Sequence, residues 1–196
     1  MEYRRSSTYK RVWFITGSSD GIGRALTEAV LARGERVVVT ARRPERVRDL
    51  IERYPAQALI VELDVTQHEQ VHRAVCEAGD RFGRIDVLVN TTGRLFDPNV
   101  FGLVDVTREV LPFMQRICSG HIINVVSVAP GRSAVEGFSA ALAEEMVAFG
   151  ISVITVEGGS VNGQQPSDST GAVEAIIAAV DAETAEPDVL GKEVKL

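Results

Sequence analysis

Three glycines, at positions 17, 21 and 23, carry the plainest chemical signal in this chain. They follow the apolar run Val12-Trp13-Phe14-Ile15 and Thr16, and they open an amphipathic segment. Glycine at such a turn lets backbone approach a pyrophosphate closely, and the helix behind it aims its first N–H groups at the charge. Ser18, Ser19 and Ile22 complete the turn. The spacing, Gly-x3-Gly-x-Gly, is one residue longer in its first interval than the common dinucleotide fingerprint. A second signal lies after the next apolar run, Val37–Thr40, where Ala41-Arg42-Arg43 follows. An acid there would accept from the ribose 2′-hydroxyl of NAD. Arg42 is instead suited to the 2′-phosphate of NADP(H), and Ser18 could add a hydrogen bond. The plainer reading makes Arg42 and Arg43 a solvated start to the following helix.

The rest of the chain supplies elements that would hold these residues. Ile22, Leu26, Ala29 and Val30 recur at helical spacing up to Gly34; Val47, Leu50, Ile51 and Tyr54 do so after Pro44; Val71, Val75, Ala78 and Phe82 do so up to Gly83. Pro44 suits a first helical turn. Between these stripes lie continuous Val/Ile/Leu runs, the pattern of parallel strands covered on both faces. The alternation predicts an α/β fold: a single Rossmann-like, doubly wound parallel sheet in a three-layer α/β/α arrangement, with ligands at the C-terminal ends of the strands. Residues 1–10 read as a polar lead-in with no secretory character, residues 11–196 as one NADP(H)-binding domain, and 158–171 as a loop.

Several ordered segments resemble the short-chain dehydrogenase/reductase family, most clearly from about residue 10 to about 160. Thr16 to Gly23 resembles its TGxxxGIG turn. Leu59–Asp64, continuing into Val65-Thr66, resembles its third strand. Asn90-Thr91-Thr92-Gly93 resembles its NNAG turn with two positions altered, Asn99-Val100-Phe101-Gly102 a helix after that turn, and Gly120–Ser127 its fifth strand. The resemblance implies hydride transfer between a nicotinamide and a carbonyl or alcohol carbon. It implies that Asp64 accepts from the adenine amino group, with Val65 beside it, and that the Asn90–Gly93 turn passes along the adenosine. It implies that Ser127 holds the substrate oxygen and that Asn99 positions a water in the proton relay. Asp64 also reads, without the family, as a strand-end cap.

The family's proton donor, a tyrosine with a lysine four residues on, has no match. The tyrosines are Tyr3, Tyr9 and Tyr54 and the lysines Lys10, Lys192 and Lys195. After Ser127 the chain runs through Val128–Arg132 almost directly into Glu136–Leu142, which resembles the second half of the helix that bears the pair. The stretch before Asn99 is short as well, only Arg94–Pro98, and Glu157-Gly158-Gly159-Ser160 stands where the family has a Pro-Gly turn near the nicotinamide. The shortened parts all belong to the substrate half. Both helices still read as viable: Asp97-Pro98 as N-cap and first turn of one, Ser133–Glu136 as a capping box for the other. Asn99 then falls in a first helical turn, which argues against its relay role. Because these helices often build the family's dimer interface, the oligomeric state stays open.

Substitute chemistry is sparse. His68 and His72 share a helix face without a third ligand and read as a solvated pair rather than a metal site. His121 opens the fifth strand at the end opposite Ser127. No His-Asp set accompanies Ser127 in a recognisable motif. Arg132 and Glu136 could approach the site, but neither is a natural proton donor at neutral pH. Cys76 and Cys118 read as buried free thiols on helices, in a reducing, cytoplasmic setting, in preference to a disulfide or a nucleophile. A net charge of −6 over 196 residues argues against nucleic acid or an anionic membrane as partner, and no apolar run approaches a membrane span. The expected partner is a small carbonyl or alcohol. Three readings follow: an oxidoreductase by descent with impaired turnover, an inactive cofactor-binding sensor or interaction module, and an active reductase with a substitute proton donor.

Overall fold

A computed structural model describes residues 10–91, 99–126, 132–157, 169–183 and 193–194. Seven strands form one parallel sheet: β1 (Val12–Ile15), β2 (Arg36–Ala41), β3 (Ala58–Glu62), β4 (Val87–Thr91), β5 (Gly120–Val126), β6 (Ile151–Glu157) and the short β7 (Glu193–Val194). Their order is β3-β2-β1-β4-β5-β6-β7. The chain therefore winds outward from β1 in one direction, then restarts at β4 and winds in the other. Between β1 and β4 the connections leave on opposite faces and a crevice opens at the C-terminal ends. The helices are α1 (Gly21–Ala32), α2 (Arg48–Arg53), α3 (His68–Phe82), α4 (Asn99–Ile117), α5 (Arg132–Met146) and α6 (Thr170–Glu183).

Strand alternation divides the core into two. Trp13, Ile15, Val37, Val39, Val87 and Val89 face Leu26 and Val30 of α1 and Ile176 and Val180 of α6. Val12, Phe14, Val38 and Leu88 face the other way, onto Val71 and Val75 of α3, Val106 and Val110 of α4 and Leu142 of α5. With both faces covered, every strand needs apolar residues at successive positions, which is why the sequence shows runs rather than alternation.

Four local expectations change. Pro44 opens a 3-10 turn, Pro44–Val47, and the α-helix follows only from Arg48. α5 begins at Arg132, so Ser133 lies inside the helix and does not cap it. The loop expected through residue 171 ends earlier, because α6 starts at Thr170. Cys76 and Cys118 are exposed rather than buried, and Cys118 lies past the end of α4 with a left-handed φ of 48°. The proposed cap at Asp97-Pro98 lies outside the described residues. Among the described residues no helix is long and apolar enough to cross a membrane.

Candidate cofactor site

The glycine turn sits at the crevice between β1 and β4, and neighbouring side chains fix its shape. Thr16 N–H donates to the Val89 carbonyl (3.0 Å), while Thr91 N–H donates to Thr16 Oγ1 (3.0 Å) and Thr91 Oγ1 donates to the Thr16 carbonyl (2.6 Å). Gly17 follows with φ +69°, and a Cβ on it would lie 2.6 Å from Thr91 Oγ1. A Cβ on Gly23 would lie 2.3 Å from the Gly17 carbonyl oxygen. Helix α1 thus closes onto the turn at a distance only glycine allows.

That closure presents the start of α1 to the crevice. The N-cap residue, Asp20, is extended and makes no side-chain capping bond, and the first turn holds no acid. The first N–H groups of a helix have no intrahelical partner and carry partial positive charge. Here the Asp20 carboxylate does not cap them and lies instead 3.6 Å from Arg46. The residues present therefore fit a pyrophosphate. Ile22, in this first turn, turns its side chain onto the α1 core and leaves its backbone to the site.

Ser18 departs from its expected role. It is fully buried, its hydroxyl donates to the Ile15 carbonyl (3.0 Å) and its N–H to the Thr40 carbonyl (2.9 Å). The hydroxyl braces the turn and is not directed at a 2′-phosphate. Ser19 is half-buried beside it.

Arg42 is exposed one residue beyond β2. Asp64 lies just past β3, near enough for the Arg42 charge to act on it. Its Oδ1 accepts from Thr66 N–H (3.0 Å) and Thr66 Oγ1 (2.7 Å). Those hydrogen bonds, first the hydroxyl and then the backbone one, hold the Asp64 carboxyl below its usual range; burial opposes them, and the Arg42 charge adds a lesser contribution in their favour. The strand-end cap is therefore present, formed by Oδ1. Val65 packs against α4: a Cβ on Gly102 would lie 2.6 Å from the Val65 carbonyl oxygen.

The Asn90 side chain turns inward. Nδ2 donates to Asn124 Oδ1 (3.0 Å) and approaches Thr107 Oγ1 (3.4 Å), while Asn124 Nδ2 donates to Ser139 Oγ (2.8 Å). This chain joins β4, β5, α4 and α5 and commits the Asn90 amide nitrogen, while its Oδ1 is buried without a hydrogen-bond partner among the described residues. Sequence reasoning did not single out Asn124 or Ser139; the signal was an asparagine in the otherwise apolar Ile122–Val126 run. Gly93 and Ser127 lie outside the described residues. Asn99 is the first residue of α4, as its place in a first helical turn requires.

The opposite side of the crevice carries charge. Arg132, opening α5, donates from Nε to Glu136 Oε1 (2.6 Å) and pairs with Glu157 at the C-terminal end of β6. The Glu136 hydrogen bond, followed by the charges of both acids, raises the guanidinium pKa above its ordinary value. His121 is buried near the start of β5, at the far end of the sheet. His68 and His72 face Asp105 (3.6 Å) and Glu109 (2.9 Å) of α4, and among the described residues no three or more His, Cys, Asp or Glu side chains are so placed that they could hold a metal ion.

The family model for short chain dehydrogenases matches residues 11–172. The chain belongs to that family. An oxidoreductase of Botryotinia fuckeliana is 38% identical over 180 residues, an alignment covering 77% of this chain and 66% of that protein. The crystal structure of a short-chain dehydrogenase from Streptomyces avermitilis superposes with a TM-score of 0.81 at 30% identity, over 95% of this chain and 89% of that one. A metagenomic short-chain oxidoreductase solved in complex with NADP superposes at 0.79 with 26% identity, over 95% and 96%. The fold is therefore that of a short-chain dehydrogenase family oxidoreductase.

Proposed function

We propose that this family member binds NADP(H) across the β1–β4 crevice and that its hydride transfer is impaired. The observation that carries the cofactor reading is the first turn of α1, without an acid and without a side-chain cap from Asp20, above a glycine turn, with Arg42 rather than an acid beyond β2. The α1 N–H groups would hold the pyrophosphate, Arg42 the 2′-phosphate, and Asp64 Oδ2, not used in the Thr66 turn, would accept from the adenine amino group. Asn90 and Gly93 would contribute backbone along the adenosine. The NADP-bound structural relative supports the same choice of nucleotide.

NADPH supplies a hydride when bound; the protein must hold the acceptor and provide a proton. For the second task the sequence offers no tyrosine with a lysine four residues on. Tyr54 follows α2, and Lys10 precedes β1 at the opposite end of the sheet. Ser127 would remain to hold a carbonyl oxygen of a small substrate, with no nucleic acid or membrane involved. General acid assistance contributes ~10²–10⁴-fold, so its loss slows turnover without abolishing it where substrate is still held.

Calorimetric titration with NADPH and NADH tests the first half of this reading. Binding of NADPH with much weaker NADH supports it; no binding of either overturns it. NADPH oxidation with a panel of ketones and aldehydes tests the second half. Slow oxidation abolished by Ser127→Ala fits impairment, whereas rates in the ordinary enzyme range overturn it. A complete lack of oxidation despite tight binding favours a cofactor-sensing or interaction module.

A further inference from the structure

Away from the crevice, three side chains on α3 and α4 form an arrangement that the cofactor reading does not use. Cys76 Sγ lies 3.6 Å from His72 Nε2, and His72 Nδ1 lies 2.9 Å from Glu109 Oε2. His72 and Cys76 are one helical turn apart on α3, and Glu109 reaches across from α4. With Nδ1–H donated to the carboxylate, Nε2 keeps its lone pair for the thiol. A nucleophile beside a base, with the base oriented by a third group, is the recurring form of an activated nucleophile. Cys76 and His72 are exposed and Glu109 is half-buried behind them, so a small reagent can reach the sulfur. Cys76 stands eight residues into α3, roughly 12 Å along the helix from its start at the crevice end of the sheet.

The pair His68–Asp105, one turn nearer the start of α3, flanks the arrangement at a looser 3.6 Å. It gives His72 a parallel neighbour across the same seam but no link to the sulfur. The chain's other thiol makes an internal comparison. Cys118 is exposed too, yet its Sγ donates to the Gln115 carbonyl (3.5 Å) rather than to an imidazole.

We propose that Cys76, His72 and Glu109 form a thiol-exchange site that takes up small, low-molecular-weight disulfides, making Cys76 the position at which this chain is S-thiolated. Cys76 Sγ attacks one sulfur of the disulfide while His72 Nε2 accepts the thiol proton. The new bond joins Cys76 to that sulfur. The old S–S bond breaks with its electron pair on the departing sulfur, and the resulting thiolate takes the proton from the imidazolium. One thiol and one disulfide become one mixed disulfide and one thiol, with Cys76 oxidised and the departing sulfur reduced. An uncharged probe isolates this chemistry from attraction by surface charge.

The test is incubation of the full chain with 2-hydroxyethyl disulfide, with adducts on Cys76 and Cys118 followed over time by peptide mass spectrometry. Cys76 is expected to react about tenfold faster than Cys118, a fraction of what base assistance gives in a closed site. His72→Gln should bring Cys76 down to the Cys118 rate and leave Cys118 unchanged, and Glu109→Gln should fall between. Equal rates at the two cysteines of the unmodified chain overturn the proposal, as does a Cys76 rate that His72→Gln does not alter. If a variant unfolds, Cys118 accelerates with Cys76, and the ratio in the unmodified chain alone then decides.

Discussion

At the residue scale, single atoms decide what the turn can hold. A methyl group on Gly23 would sit 2.3 Å from the Gly17 carbonyl oxygen, a contact that can be relieved only by moving α1 off the turn. Gly23→Ala should therefore cost about 1–3 kcal/mol of stability, the usual range for overpacking, and remove NADPH binding. Urea unfolding read alongside calorimetry checks both effects; unaltered binding would show that α1 does not face the phosphates. On the proposed reading, Arg42 would act through a different atom of the ligand. Arg42→Ala should weaken NADPH by about tenfold or more and leave NADH nearly unchanged, because only one of them carries the 2′-phosphate. Equal weakening of the two would remove the assignment. The tight glycine turn and the place of Arg42 just past β2 were legible in sequence, because both follow from residue type and distance to a strand end. The Ser18 hydroxyl was not: whether a turn serine faces the ligand or its own backbone depends on one χ angle, and here the Ile15 carbonyl takes it.

At the element scale, the helices are tied to the sheet by polar side chains whose partners lie far away in sequence. Asn124 joins Asn90 on β4 to Ser139 on α5, and all three are buried. Asn124→Ala would leave Asn90 Nδ2 with only the long contact to Thr107, and should cost about 1–3 kcal/mol in urea unfolding, the usual penalty for an orphaned buried donor. A change below a few tenths would mean that the network is not needed to seat α5. At the other end of the sheet, Asp181 of α6 accepts from Arg11 before β1 (2.6 Å) and from Arg33 after α1 (2.7 Å). Burial pushes the Asp181 carboxyl up, but the hydrogen bonds and charges of the two arginines outweigh it, and the net shift is downward. A carboxyl lowered on folding contributes stability above its unfolded pKa and loses it as the pH falls through its folded value. Asp181→Asn should therefore lower stability near neutrality by about 1 kcal/mol, given the partial exposure of the group, and should flatten the acid side of the pH profile. Parallel curves for the two proteins would sink that reading. Apolar periodicity had shown where α1 and α3 stand, because helix and strand spacing record which faces are buried. It could not show Arg11 meeting Asp181, since nothing local links residues 170 positions apart. The helix starts misread at Pro44 and Ser133 have local causes: proline favours a first turn without saying whether it is 3-10 or α, and a serine beside a helix start does not say whether it caps the helix or lies inside it.

At the scale of the whole molecule, both cores share the same strands. Trp13 points to the α1 and α6 side while its neighbours Val12 and Phe14 point to the α3 and α4 side, so neither layer can separate without stripping the sheet. Such a chain should unfold as one unit, and its single tryptophan, fully buried on one side, should report the same transition as far-UV circular dichroism, which senses every helix. The crevice belongs to that same unit, because the turn is bonded to β4 through Thr16 and Thr91. A ligand that binds only the folded chain must then raise the stability of the whole. At a hundred times its Kd, NADPH should add about 2.7 kcal/mol and move the fluorescence and dichroism transitions together. NADH at the same concentration should move both less, in line with the missing contact to Arg42. A shift in one signal without the other would mean that the crevice opens independently of the sheet, and the cofactor would then be stabilising a part rather than the fold.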